Sequence, residues 1–101
     1  MDPERISDFN ISDVVKATAG RDQGKLFYVI GEDAEFLLLA NGKDRPLDRP
    51  KRKKCKHVQK VLRAETRVAL KLRTGDKVLN SELRRDLAFL AGQMQVNNLG
   101  G

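Results

Sequence analysis

The sequence is poor in the residue types that build covalent cross-links, metal centres and aromatic surfaces. Its 101 residues include one cysteine, one histidine and no tryptophan, and aromatic residues make up only 5%. Cys55 alone cannot form an intramolecular disulfide, and Cys55 with His57 falls short of the four ligands of a structural zinc site. No pattern joins a nucleophile to a base and an orienting group. We therefore expect a noncatalytic protein that needs no metal or cofactor.

Long hydrophobic runs are also missing. No wholly apolar run exceeds five residues, as at residues 36–40, which suits a buried strand and is too short for a membrane span. No stretch combines a basic start with the apolar segment of a signal peptide. We expect one compact cytoplasmic domain, a monomer rather than an oligomer, with no membrane partner.

The charge is abundant, basic and unevenly distributed. The chain has 20 Lys and Arg against 14 Asp and Glu, a net charge of +6. Residues 1–42 carry four basic and eight acidic side chains, residues 43–63 carry ten and two, and residues 64–101 carry six and four. The middle segment thus holds more positive charge than the whole chain. Such a local excess is typical of a surface that binds a polyanion.

Short β-branched and aromatic segments separated by turn residues dominate residues 13–62. Residues 13–18 and 26–30 have strand composition and flank a loop between Gly20 and Gly24, and residues 36–40 form the next apolar segment. Asn41-Gly42 is suited to a type I′ turn, so we expect a third and a fourth strand to pair there. Val58, Val61 and Leu62 indicate a last strand. Several short strands in about 50 residues favour a small barrel, because closure removes unpaired edges.

The C-terminal part changes from a strand period to a helical one. Leu83, Leu87, Leu90 and Ala91 fall on one helix face, Asn80 or Ser81 can cap its start, and Gly92 can end it. The predicted organisation is therefore a lead-in at residues 1–12, a barrel at 13–62, an ambiguous connection at 63–79, a helix packed on the barrel at 80–92 and a flexible tail at 93–101.

The first two predicted strands and their loop resemble a known motif. DVVKATAGRDQGKLFYVI, residues 13–30, is similar to the KOW motif, in which strand, glycine-containing loop and strand form part of an SH3-like barrel. Gly24 matches the motif's glycine, where a side chain would hinder the backbone conformation. The continuation RPLDRPKRKKCKHVQ resembles KOW proteins related to an archaeal and eukaryotic large-subunit ribosomal protein. The resemblance implies a mainly β, SH3-like (KOW) barrel with a C-terminal α-helix that binds ribosomal RNA.

The basic segment at residues 49–56 is the main candidate for contact with RNA. In an extended strand, Lys51 and Lys53 would face one side, and Arg52 and Lys54 the other. Planar guanidinium groups suit bidentate contact with phosphate, and the KOW-like loop adds further cations that either extend this surface or merely solvate a turn. The complete predicted set of RNA contacts is Arg21, Lys25, Arg45, Arg49, Lys51, Arg52, Lys53, Lys54 and Lys56.

Two alternatives stay open at this stage. The basic segment can be a solvated edge that discourages strand aggregation. The protein can instead be a KOW module that binds proteins of transcription or translation, with the apolar face of the C-terminal helix as its docking surface. A reader of duplex DNA fits less well, because no helix is dense in base-reading side chains.

Overall fold

The computed structural model describes the backbone of residues 9–100 and the side chains of residues 9–94. The strands are β1 (Asp13–Ala17), β2 (Leu26–Asp33), β3 (Phe36–Ala40), β4 (Lys51–Lys54) and β5 (Val58–Arg63). A 3-10 turn at Cys55–His57 separates β4 from β5, and two helices follow, α1 (Arg67–Thr74) and α2 (Asn80–Gly100). Most of the predicted lead-in, residues 1–8, lies outside the described residues.

The five strands form one antiparallel sheet in the order β4-β3-β2-β1-β5. β4 and β5 are therefore its two edges, although only three residues separate them along the chain. In a flat sheet the edges would be about 19 Å apart, whereas the connection spans at most about 15 Å. The sheet must therefore curl to bring β4 and β5 together. At the same end, the Thr18 amide donates to the His57 carbonyl at 2.9 Å and extends the β1–β5 ladder by one residue.

The predicted mainly β fold is confirmed, but the barrel is not closed. β4 ends after four residues and the chain crosses the gap as a 3-10 turn, so no ladder joins β4 to β5 in the described part of the chain. The third and fourth strands pair as predicted, but the prediction of a type I′ turn between them was wrong. Residues 41–50 join β3 to β4, and only Gly42 of the Asn41-Gly42 pair has a positive φ, at 76°. The Asn41 side chain instead accepts hydrogen bonds from the amides of Lys43 and Arg45.

Both faces of the central strands are buried, which explains their unbroken apolar runs. The concave face of the curled sheet is filled by Val15, Ala17, Phe27, Val29, Leu37, Leu39 and Val58. The opposite face carries Val14, Tyr28 and Ala40 and packs against the helices. A strand that is covered on both sides cannot alternate apolar with polar residues, so VV in β1 and FYV in β2 follow directly from this arrangement.

The connection that the sequence left ambiguous contains α1. The Thr66 side chain caps the helix by accepting from the Ala69 amide at 3.1 Å, and Gly75 ends it with φ 74°. Val68 and Leu72 face the core, whereas Leu70 is 52% exposed. Val68 and Leu72 thus form an i, i+4 pair on the buried side of the helix, and Leu70 between them points to solvent. In the sequence this spacing looks like the alternation of a strand.

The leucine face of α2 is buried as predicted, but the predicted end of the helix is wrong. Leu83, Leu87 and Leu90 pack on the face of the sheet that carries Tyr28. The helix continues through Gly92 as far as Gly100, so most of the predicted tail at 93–101 is helical. Gly92 has no positive φ, and one glycine inside a helix costs only about 1 kcal/mol relative to alanine.

Tyr28 connects the sheet to both helices. Its hydroxyl donates to Asp86 Oδ2 on α2, and the Thr66 hydroxyl at the start of α1 donates to the same oxygen at 2.7 Å. Burial, followed by the hydrogen bond to Asp86, raises the pKa of Tyr28 above its ordinary value of 10.0.

We expect the Tyr28 phenol to resist ionisation for as long as the protein stays folded. The pKa of the Tyr28 phenol is higher in the folded than in the unfolded protein. The buried phenol therefore contributes its full stabilisation below pH 10, and this contribution is lost as the pH rises further. Tyr28 is the only tyrosine and tryptophan is absent, so phenolate absorbance follows this group alone. A titration in denaturant serves as the control, and equal midpoints in the folded and the denatured protein would contradict the network.

Candidate nucleic-acid interface

β4 alternates as the sequence predicted. Lys51 and Lys53 lie opposite Leu39 and Leu37 of β3, on the concave side of the sheet, and both are half-buried. Arg52 and Lys54 lie on the other side and are exposed. The strand therefore presents cations to both sides of one sheet edge.

Lys53 attaches β4 to the β1–β2 loop, residues 18–25. Its Nζ donates to the Ala19 carbonyl oxygen at 2.6 Å. A β-carbon at Gly20 would lie 3.0 Å from the same Nζ, so the loop and the ammonium group are in close contact. Lys53 thus positions the loop that carries Arg21 beside the basic strand.

Replacing Lys53 with glutamine should destabilise the fold by about 1 kcal/mol, because a hydrogen bond from a charged donor is lost and the carbonyl is left half-buried. The matched control is Lys51→Gln on the same side of the same strand, which should change stability by less than about 0.5 kcal/mol. Urea unfolding measures both variants, and amide exchange of residues 18–25 should accelerate only in the Lys53 variant. Equal behaviour of the two variants would show that the Ala19 contact contributes nothing.

The β1–β2 loop is also attached to the β3–β4 loop, residues 41–50. Arg45 Nη2 lies 3.1 Å from Oδ2 of Asp22, which is buried, and Lys25 Nζ lies 2.6 Å from Asp44 Oδ2. Hydrogen bonds from Lys25 and Asn41 lower the pKa of Asp44 to about 2, and Asp44 in turn raises the pKa of Lys25. Both members of the Lys25–Asp44 pair are therefore charged at neutral pH.

The nine predicted RNA-binding cations divide into those that are bound to another group of the protein and those that are not. Lys25, Arg45 and Arg52 have carboxylate partners; for Arg52 the partner is Asp33 at 3.2 Å. Lys53 is bound to a carbonyl. The remaining cations have no ion-pair partner among the side chains of residues 9–94, and we call them the free cations: Arg21, Arg49, Lys51, Lys54 and Lys56.

The free cations lie on β4, the 3-10 turn and the two attached loops, which together we call the basic face. Two exposed carboxylates have no ion-pair partner in the described structure: Asp48 belongs to the basic face, and Glu35, between β2 and β3, lies next to it beside Cys55. The acidic residues Asp22, Asp33 and Asp44, by contrast, are already matched by cations. A positive excess therefore remains on the basic face after its internal ion pairs are formed.

The sequence missed two cations that the fold adds to this region. Lys43 is exposed in the β3–β4 loop, and Arg84 of α2 donates from Nη1 to the Gly42 carbonyl at 2.7 Å. Lys43 follows Asn41-Gly42 directly and belongs to the segment of highest charge, so a signal for it existed. Arg84 comes from a helix 42 residues away, and nothing in its local sequence indicates this contact.

The described residues contain no group of three or more His, Cys, Asp or Glu side chains arranged to hold a metal ion. Cys55 is half-buried in the 3-10 turn, and its sulfur lies 3.7 Å from the Glu35 carbonyl oxygen.

Among the described residues, no helix has the length and apolar character needed to cross a membrane.

The chain matches no known protein-family model and no curated protein.

Proposed function

We propose that this protein is a noncatalytic RNA-binding protein that holds structured RNA by its phosphates on the basic face. The observation that carries the proposal is the group of free cations, because cations without carboxylate partners are the ones available to an external polyanion. The free cations lie on β4, on the 3-10 turn that follows it and on two loops that contact each other, so the fold sets their relative positions, which favours a backbone of regular shape.

The basic face carries no exposed aromatic ring among the described residues, which supports phosphate contact rather than base stacking; Phe89, which is 58% exposed, lies with Val68 on another side of α2. Phe36 is half-buried beside β4, and the Arg52 guanidinium carbon lies 4.4 Å from the centre of its ring. That face of the ring is therefore already occupied. Proteins that bind single strands without sequence preference stack bases on open rings, so folded or double-stranded RNA is the better partner.

The KOW resemblance supports an association with ribosomal RNA. Gly24 has φ 89°, which agrees with the conformation expected of the motif's glycine. The curled sheet is compatible with an SH3-like barrel, and we include that fold, a cytoplasmic location and a monomeric state in the proposal. The alternative of a protein-binding KOW module depended on the apolar face of the C-terminal helix as a docking surface. The leucines of that face are part of the core.

The salt dependence of binding tests the proposal. Each phosphate contact releases counterions, and the five free cations set an upper limit of five contacts. The logarithm of the binding constant should therefore fall with the logarithm of salt concentration with a slope of up to about −4.5. Binding of a structured RNA hairpin, measured by anisotropy over a range of salt, gives this slope. A slope near zero, or no binding at low salt, would contradict the proposal. Cosedimentation with the large ribosomal subunit tests the ribosomal assignment separately.

A further inference from the structure

A groove runs between α2 and the loops of the basic face. Its apolar lining comes from Leu26 at the start of β2 and from Leu87, Ala88 and Ala91 on one side of α2. Leu87 belongs to the core, whereas Ala88 is exposed. The small side chains at positions 88 and 91 leave room above the packed leucine, so the groove has an apolar floor that is open to solvent.

The rim of the groove is cationic. It consists of Lys25, Asn41, Lys43, Asp44 and Arg84. Lys25 neutralises Asp44 at 2.6 Å. The hydrogen bond from Arg84 Nη1 to the Gly42 carbonyl holds the guanidinium group in place, while its other N–H groups have no partner among the described residues. Lys43 has no ion pair within the same residues. Two uncompensated positive charges thus border an apolar floor.

This combination fits a ligand with a flat apolar body and an anionic end. A nucleobase can lie on the alanine floor or against the guanidinium plane of Arg84, while its phosphate reaches Lys43. The groove also continues into the basic face, because the β3–β4 loop begins at Asn41 and Lys43 on the rim and leads to Arg49 and β4. One RNA strand can therefore contact both regions.

We infer that this groove receives one unpaired nucleotide of the RNA that the basic face holds, an inference that rests on the proposed function. The basic face supplies affinity for a folded backbone, and the groove selects RNA in which a base is free to leave the helix. The protein would then prefer a helix interrupted by a bulge over a continuous one.

Two hairpin RNAs test the inference, identical in their stems except that one carries a single-nucleotide bulge. We expect the protein to bind the bulged hairpin about tenfold more tightly, which is the size of effect that contact with one base gives. Ala88→Glu, which places a carboxylate on the floor, should reduce this ratio to about one. Ala88 is an exposed helical position and Glu is a good helix former, so the variant should fold normally.

Matched variants control for charge. Gln93→Glu makes the same change of charge at another exposed position of α2 and should keep the preference. Arg84→Gln should lower the ratio about threefold, whereas Arg85→Gln, whose side chain lies toward Val68 and Phe89 on the other side of α2, should leave it unchanged.

Each outcome is decisive. Loss of the preference in Ala88→Glu and its retention in Gln93→Glu support the groove. If the unmodified protein binds the two hairpins equally, the groove does not select an unpaired base, but the proposed function of the basic face stands. A preference that survives Ala88→Glu has the same meaning. Failure to bind either hairpin overturns both the groove and the proposed function.

Discussion

Replacing Arg49, Lys54 and Lys56 with glutamine should weaken binding to a structured RNA hairpin about a hundredfold at roughly 0.1 M salt. These free cations are exposed, and none has an ion-pair partner in the described structure. At this salt concentration each phosphate contact contributes up to about a factor of ten through counterion release. The salt slope should become less steep by about 3, because each lost contact reduces it by about one.

A triple variant on the helical side of the molecule is the matched control. Arg67→Gln, Lys77→Gln and Arg85→Gln remove the same three charges from exposed positions that also have no ion pair among the described residues. This variant should lose less than about threefold in affinity and keep the slope, because its charges act only through the long-range field. If the two triple variants lose equal affinity, net charge alone drives binding and the basic face is wrongly placed.

Replacing Gly42 with alanine should destabilise the protein by about 4 kcal/mol. Two costs combine there: alanine in a left-handed conformation costs about 1–2 kcal/mol, and forcing an extra carbon into a packed site costs about 1–3 kcal/mol. Gly42 has φ 76°, and a β-carbon would overlap the carbonyl oxygen of Asn80 at the start of α2. A loss of this size is a large part of the stability of a small domain.

Gly24→Ala separates the two costs. Gly24 has a similar φ of 89°, but a β-carbon there would meet no atom within 4 Å. Only the conformational cost of about 1–2 kcal/mol applies. Urea unfolding followed by circular dichroism measures both variants, and the Gly42 variant should also lose the contact between its loop and α2. Equal destabilisation of the two would show that the loop moves away from Asn80 without cost.

The sequence correctly predicted the strands and the helix in which the order of apolar and polar residues follows the burial of each position. The runs in β1 and β2 and the leucine period of α2 identified these elements because each position records which side of the chain is covered. Asn41-Gly42 misled the prediction because the constraint on Gly42 is tertiary. The glycine is needed where α2 approaches the loop, at Asn80 and Arg84, and no short-range pattern distinguishes this from a hairpin turn.

The candidate site was predictable in location but not in composition. Counting charges by segment identified the basic region, because the number of cations does not depend on the fold. Which of them are free does depend on it. Arg45 meets Asp22 from 23 residues away, and Lys25 meets Asp44 from 19 residues away. These partners are brought together only when the two loops pack against each other, so residue spacing carries no information about them.

The position of β1 between β2 and β5 constrains the order in which the chain can fold during synthesis. β1, β2 and β3 are close in sequence, so this three-stranded meander can form early from local pairings. The other side of β1 pairs with β5, where Val15 lies opposite Lys60, about 45 residues later. Until β5 leaves the ribosome, the outer side of β1 has no partner strand, and the concave cluster around Phe27 and Leu37 lacks Val58. The nascent chain is therefore most prone to aggregation in this interval, before the last strand and the helices cover the two faces.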